Sequence, residues 1–410
     1  MGKKKDRLIL ELSDYADISI EEGSKVTDYL NENYVLEKKK EKKSKRFINK
    51  IKELYHKDTV DYYLNNEKKG RYGFVDVAKA IAMIFIFIGH YLTSNIGPFA
   101  YSFHLFLFFM ASGFFALHMQ KDNFFDLIKK LFLRLVIPLF IWSIIAFIVV
   151  NLANNNIITK NTIFDFLLNP SDIRPNYWFM PALFSITIIY WLLAKIVKKP
   201  WLIVLITFIL FLFLGQTKYI FNHNLEILEN VPLARWIDPK NFLTYGFWYA
   251  LGAAAFPLII KFIENLNSES LKKRLPVKIL SYFCIAVSIV LLLHKSNFNI
   301  IPKNRYIVSN FIILKGLIII TAVLFFSNIL SNSKVLNKIG KHTMIYVGIE
   351  FIIRDLIGVT VMQSLNLGVI NLYNHIGVVM YSLLNVYLVY KLIDPIDNYF
   401  PILNGKLKKG

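Results

Sequence analysis

Four ionisable residues, Asp76, Lys79, His90 and His104, lie inside two apolar runs between Tyr72 and Phe115, joined by a Gly97-Pro98 turn. A charge at bilayer depth costs about 2.5–3.5 kcal/mol by insertion scales, so such groups face a protein interior or a watery cavity. Lys79 and His90 are eleven positions apart, about three helical turns, which puts them on one face about 16 Å apart along the axis. Asp76 is one turn from Lys79 and can neutralise it at the helix start. The turn brings the chain back antiparallel, so His90 and His104 are expected at similar depth. A histidine there can take a proton from a hydroxyl, the general-base step of acyl transfer.

These residues resemble a known family. Asp-x-x-Lys-x10-His followed by SFHLFLFFMASGFF is similar to the opening of the acyltransferase family 3 membrane proteins, which include polysaccharide and sugar O-acetylases such as fucose 4-O-acetylase-like enzymes. The segment KKLFLRLVIPLFIW resembles the family's basic loop, with Arg134 and Lys130 as its cations. NYWFMPALF resembles the opening of its fourth span and contains Trp178. KIGKHTMIYVGIE resembles a Gly-x-x-Ser-x-x-Tyr-x-x-His segment, with Ile349 where the His is expected and Glu350 next to it. The resemblance covers about residues 71–395.

The resemblance implies roles for these residues. His90 is the base, with His104 assisting or holding the acceptor. Lys79 would meet donor phosphates or stabilise charge at the acyl carbonyl. Arg134 and Lys130 would bind the donor, acetyl-CoA. Trp178 and Ser102 are the acceptor-binding candidates, the acceptor being a surface glycan or a lipid-linked sugar. Asp76, Glu350 and Arg354 are supporting charges, Glu350 and Arg354 spaced to pair within a helix. Lys315 is a further candidate partner for them. Ser112 is read as a packing residue beside Gly113, with a covalent acyl intermediate on it or another residue as the alternative to direct transfer. No metal and no permanently bound cofactor is expected.

Elements that place such residues follow from the composition. The chain has 410 residues, 55% hydrophobic and 15% aromatic, a balance that suits a membrane protein. Ten apolar runs lie near 74–92, 99–119, 132–152, 177–197, 200–215, 242–263, 276–293, 307–329, 343–363 and 369–393, of which 200–215 is the shortest for a crossing. The expected fold is therefore all-α, a polytopic membrane protein of about ten transmembrane helices with a cytoplasmic N-terminal extension. Runs of Lys198-Lys199-Pro200 type mark a tight hairpin.

The expected organisation is a basic extension (1–70), a membrane acyltransferase domain (71–395) and a short tail (396–410). Lys38 to Arg46 (KKKEKKSKR) precedes Phe47, Ile51, Leu54 and Tyr55 at helical spacing, either a basic amphipathic helix on anionic lipid or a solvated linker. Basic residues in loops number thirteen on the tail's side and eight on the other, which places both termini in the cytoplasm of a multi-pass cell-membrane protein. The net charge of +20 is absorbed by this pattern, and no nucleic-acid motif accompanies it. No apolar signal-peptide core is expected at the start, nor a fused catalytic domain outside the membrane. The single Cys284 excludes an internal disulfide. A transporter or flippase for a glycan or polar solute, and a membrane sensor or scaffold, are the rival readings. Intramembrane charges would suit a transport path.

Overall fold

The computed structural model describes residues 72–90, 96–153, 157–168, 177–213, 241–293, 305–354 and 375–406. The expected basic helix near Phe47, the Gly-Pro turn's approach at 91–95 and Asp355 lie outside them. Among the described residues the chain is helical and contains no strand. Within the described residues, six helical segments are long and apolar enough to cross a membrane: Phe99–Lys121, Phe124–Leu152, Phe179–Val197, Asn241–Leu266, Leu271–Leu293 and Ile376–Tyr399. Pro200–Leu212 and Ile313–Ile329 are shorter apolar helices. The first run forms a helix of 17 residues, and the run starting at 343 is described only as far as Arg354. This is a polytopic all-α membrane protein.

Helix α1 (Gly73–Gly89) carries Asp76 in its first turn, where a carboxylate meets the positive end of the helix dipole. Its buried positions run all along its length, which marks it as central rather than lipid-facing. A short α2 (Ile96–Tyr101) leads into α3 (His104–Gly113). Continuous apolar sequence here predicts one uninterrupted span, but the backbone breaks at Phe103 (φ −147°, ψ −31°). At the break the Ala100 carbonyl accepts both the Phe103 N–H at 3.1 Å and the His104 ring N–H at 2.6 Å. After a 3₁₀ turn (His118–Lys121), α4 (Phe124–Leu131) is capped by Asn123, which accepts from the Asp126 N–H at 2.9 Å. A π-helical turn (Phe132–Val136) joins it to α5 (Ile137–Ala153).

The next elements are α6 (Lys160–Leu168), α7 (Phe179–Val197) and α8 (Pro200–Phe213). The α7–α8 hairpin turns on Lys198 in the left-handed region (φ 54°), just before Pro200. Then come α9 (Asn241–Leu266), α10 (Leu271–Leu293), α11 (Arg305–Ile329), α12 (Lys334–Lys341), α13 (Thr343–Phe351) and α14 (His375–Tyr399).

Helix α3 crosses α9 at close range. A Cβ on Gly113 would overlap the Tyr249 carbonyl, and one on Gly252 would overlap the Met110 carbonyl. Two glycines therefore let the two backbones touch, the device membrane helices use where lipid offers no hydrophobic drive. Ser112, beside Gly113, donates to the Phe108 carbonyl of its own helix at 2.9 Å. Stacked rings line the same seam: Phe106 on Trp248 at 4.4 Å and Phe109 on Tyr245 at 4.5 Å. This seam fixes α3, and hence His104, relative to the bundle.

Candidate active site

His90 caps α1 in right-handed helical geometry, so it continues the face that bears Lys79, Met83 and Ile86. Its Nδ1 lies 2.9 Å from Glu350 Oε1. A carboxylate oxygen only accepts, so Nδ1 carries the proton and Nε2 presents a lone pair. The same Glu350 oxygen accepts from Arg354 at 2.9 Å, one turn further along. Glu350 is nearly enclosed (6% exposed), Arg354 is 13% exposed, and the His90 ring remains 32% exposed. A buried carboxylate thus holds an accessible imidazole in one tautomer, the relation that makes a histidine an oriented base.

His104 is buried, and its Nδ1–H donates to the Ala100 carbonyl at 2.6 Å. Its Nε2 is therefore also the acceptor nitrogen. His90 and His104 line one pocket, with Tyr101, Trp178, Phe179, Glu350 and an apolar lower wall. The pocket measures about 560 Å³, counting the space at its open mouth. The expectation that a short turn sets the two histidines at similar depth agrees with this.

Glu350 is placed by what grips α13. The Trp142 indole lies against Gly348, where a Cβ would overlap the ring. The indole N–H donates to the Leu403 carbonyl at 3.1 Å, beneath the 3₁₀ turn Pro401–Asn404. Tyr177 donates to the Gly348 carbonyl at 2.8 Å, and Tyr381 to the Arg354 carbonyl at 2.8 Å. Residues from α5, α7's approach, α14 and the C-terminal turn therefore converge on the helix that carries the carboxylate.

The other sequence candidates fall elsewhere. Asp76 is buried at the start of α1, where α12 packs so closely that a Cβ on Gly340 would overlap the Asp76 carbonyl. Lys79 is half-buried one turn from Met83 and does not line the pocket. Ser102 does not line it either, because its hydroxyl donates to the Phe99 carbonyl at 2.6 Å. Trp178 does line it, packed against Tyr245 at 5.3 Å. Lys130 is exposed on α4 and paired with Asp122 at 2.6 Å. Arg134 is exposed in the π-helical turn, and its carbonyl abuts Gly405. Lys315 is half-buried on α11.

Sequence reasoning missed the contact between His90 and Glu350, which are 260 positions apart. The signal was present as a second intramembrane carboxylate beside the position where the resemblance places a histidine. Tyr101 was also missed. It lies edge-on to His104 at 4.9 Å and lines the pocket mouth.

The fold and site together define a helical membrane bundle with an oriented imidazole at the rim of an open-mouthed pocket. The comparison with family profiles gives the class its name: the acyltransferase domain of acyltransferase family 3 matches residues 72–386. The chain belongs to that family and is a membrane acyltransferase. Neither the comparison with curated proteins nor that with solved structures returned a match.

Proposed function

We propose that this enzyme is an O-acetyltransferase, moving an acetyl group from acetyl-CoA to a hydroxyl of a surface glycan or a lipid-linked sugar. The His90–Glu350 contact at the pocket carries this reading. The acceptor hydroxyl gives its proton to His90 Nε2 as its oxygen bonds to the thioester carbonyl carbon. The carbon–sulfur bond then breaks, and the imidazolium returns the proton to the departing thiolate. Glu350 faces the imidazolium while it lasts, and Arg354 keeps the carboxylate in place.

Trp178 offers an aromatic face to a sugar ring, and His104 a second acceptor nitrogen for an acceptor hydroxyl. Arg134 and Lys130, both exposed and about one helical turn apart in sequence, suit an acidic nucleotide donor. Lys79 lies about 16 Å below His90, too far to touch the reacting carbonyl. It would instead attract the donor along α1. No cofactor need be bound permanently. We place the enzyme in the cell membrane with both termini in the cytoplasm, on the strength of the basic loops and tail.

The test is transfer of labelled acetyl from acetyl-CoA by purified protein to a cell-envelope glycan fraction. Incorporation that vanishes in His90→Ala supports the reading. Incorporation unchanged in His90→Ala, or none with the intact protein, overturns it.

A further inference from the structure

His90 and His104 come from different helices but present the same group to one pocket. Each ring is anchored through Nδ1: His90 to the Glu350 carboxylate at 2.9 Å, His104 to the Ala100 carbonyl at 2.6 Å. Both anchors can only accept, so both Nδ1 atoms carry the proton and both Nε2 atoms offer a lone pair. A flip of either ring would put a carbon where its N–H now donates. The His104 ring is also buried, with Tyr101 edge-on at 4.9 Å and Phe103 at 6.4 Å.

The rings share one corner. A Cβ on Gly89, the residue before His90, would stand 3.3 Å from His104 Cε1 and 3.3 Å from Tyr101 Cε2. Glycine there lets the imidazole come against α1 beside His90. A hydroxyl has one proton to give. Once it is directed at His90 Nε2, the His104 lone pair needs a second donor, and no side chain among the described residues supplies one.

We propose that the acceptor supplies it: the enzyme takes a diol, with one hydroxyl of a sugar ring donating to His90 Nε2 and a second hydroxyl of the same ring donating to His104 Nε2. The inference rests on the acyl-transfer reading of the pocket. The anchors decide which hydroxyl reacts. Glu350 is an anion that can face an imidazolium, whereas the Ala100 carbonyl is neutral, so the proton leaves its oxygen at His90. That oxygen bonds to the acyl carbon, the carbon–sulfur bond breaks, and the proton passes on to the thiolate. The second O–H bond stays intact throughout and holds the ring in register. An acceptor whose other hydroxyls are missing or substituted leaves the His104 lone pair unmet in a buried site, where that is costly.

The experiment uses the purified full chain, labelled acetyl-CoA and methyl glycosides of common hexoses, each compared with its monodeoxy counterparts. On a glycoside that is acetylated, loss of one particular further hydroxyl is expected to lower kcat/KM by about 10–100-fold, and loss of the others by far less. His104→Leu is expected to lower kcat/KM on the full glycoside by a similar factor and to erase the penalty for that one deoxy sugar, because the group it would have met is gone. Should His104→Leu not fold, the deoxy series on the intact enzyme carries the test.

Acetyl transfer that tolerates every single deoxygenation overturns the inference, and so does a penalty that persists unchanged in His104→Leu. If only the cell-envelope glycan fraction is acetylated, NMR locates the acetyl. A free hydroxyl remaining on every acetylated ring supports the inference, and an acetylated ring with none overturns it. In each of these cases acyl transfer itself stands. No transfer to any acceptor removes the acyl-transfer reading and this inference together.

Discussion

Glu350→Gln is the sharpest perturbation of the proposed chemistry. One carboxylate oxygen accepts from both His90 Nδ1 and Arg354, each at 2.9 Å. The amide keeps one acceptor oxygen and gains a donor group. If the oxygen stays with Arg354, the amide N–H faces His90 Nδ1. Two donors cannot meet, so the ring proton must move to Nε2, which is the nitrogen that should receive the acceptor's proton. A base held in the wrong tautomer is expected to cost about 10²–10⁴ in kcat, with KM changed far less. If the oxygen turns to His90 instead, Arg354 loses its bond to Glu350 at 13% exposure.

Either way at least one charge-assisted bond is lost, about 1.5–3 kcal/mol, toward the lower figure for the His90 bond because that ring is a third exposed. A double variant, Glu350→Met with Arg354→Met, separates the two effects. Removing both partners of a buried pair is close to neutral for stability, so its melting temperature should recover while kcat stays low. The assay is steady-state acetyl transfer in detergent or nanodiscs, paired with thermal unfolding of the same samples. Glu350→Gln turning over within about threefold of the intact enzyme would falsify the orienting role of the carboxylate.

Three further outcomes follow from the packing. Trp142→Phe keeps a ring against Gly348 but removes the N–H that donates to Leu403, so it should lower stability by about 1 kcal/mol. It should also reduce kcat more than it raises KM, as measured in the same transfer assay. Gly252→Ala puts a methyl into the Met110 carbonyl and should cost about 1–3 kcal/mol or abolish folded expression, read by size-exclusion yield and melting temperature. Lys198→Gly relieves a left-handed backbone at φ 54° and should raise stability by about 0.5–1 kcal/mol. A lower melting temperature would mean that the lysine side chain stabilises the turn.

The helical membrane fold was legible because apolar runs of crossing length carry their own signal, and so was the depth match of His90 and His104. The Lys198 hairpin was legible from its proline. Interruptions inside apolar runs were not. The break at Phe103 falls between Ser102 and His104, whose side chains donate to the Phe99 and Ala100 carbonyls one turn back. Ser102 was an acceptor-binding candidate only through the resemblance. Hydroxyls in apolar helices commonly donate to a carbonyl of their own turn, and this one does. Lys130 had a neighbour of opposite charge eight positions earlier, which a reading confined to helix spacing passes over.

The segment around Glu350 shows where pattern and physics part. The resemblance places a histidine at Ile349, and its absence alone reads as a lost polar group. One residue is about 100° around a helix, so a side chain at 350 points in a different direction from one at 349. That direction is set by Trp142 against Gly348 and by Tyr177 on the Gly348 carbonyl, and it aims the carboxylate at His90. In this chain the polar partner of His90 is therefore an acid, which can hold an imidazole in one tautomer and face its charged form. A neutral imidazole at 349 would do neither from that angle. Ile349→His in a Glu350→Gln background should therefore fail to restore acetyl transfer. Recovery would mean that α13 can rotate, and that the grip of Trp142 and Tyr177 on Gly348 does not set the site.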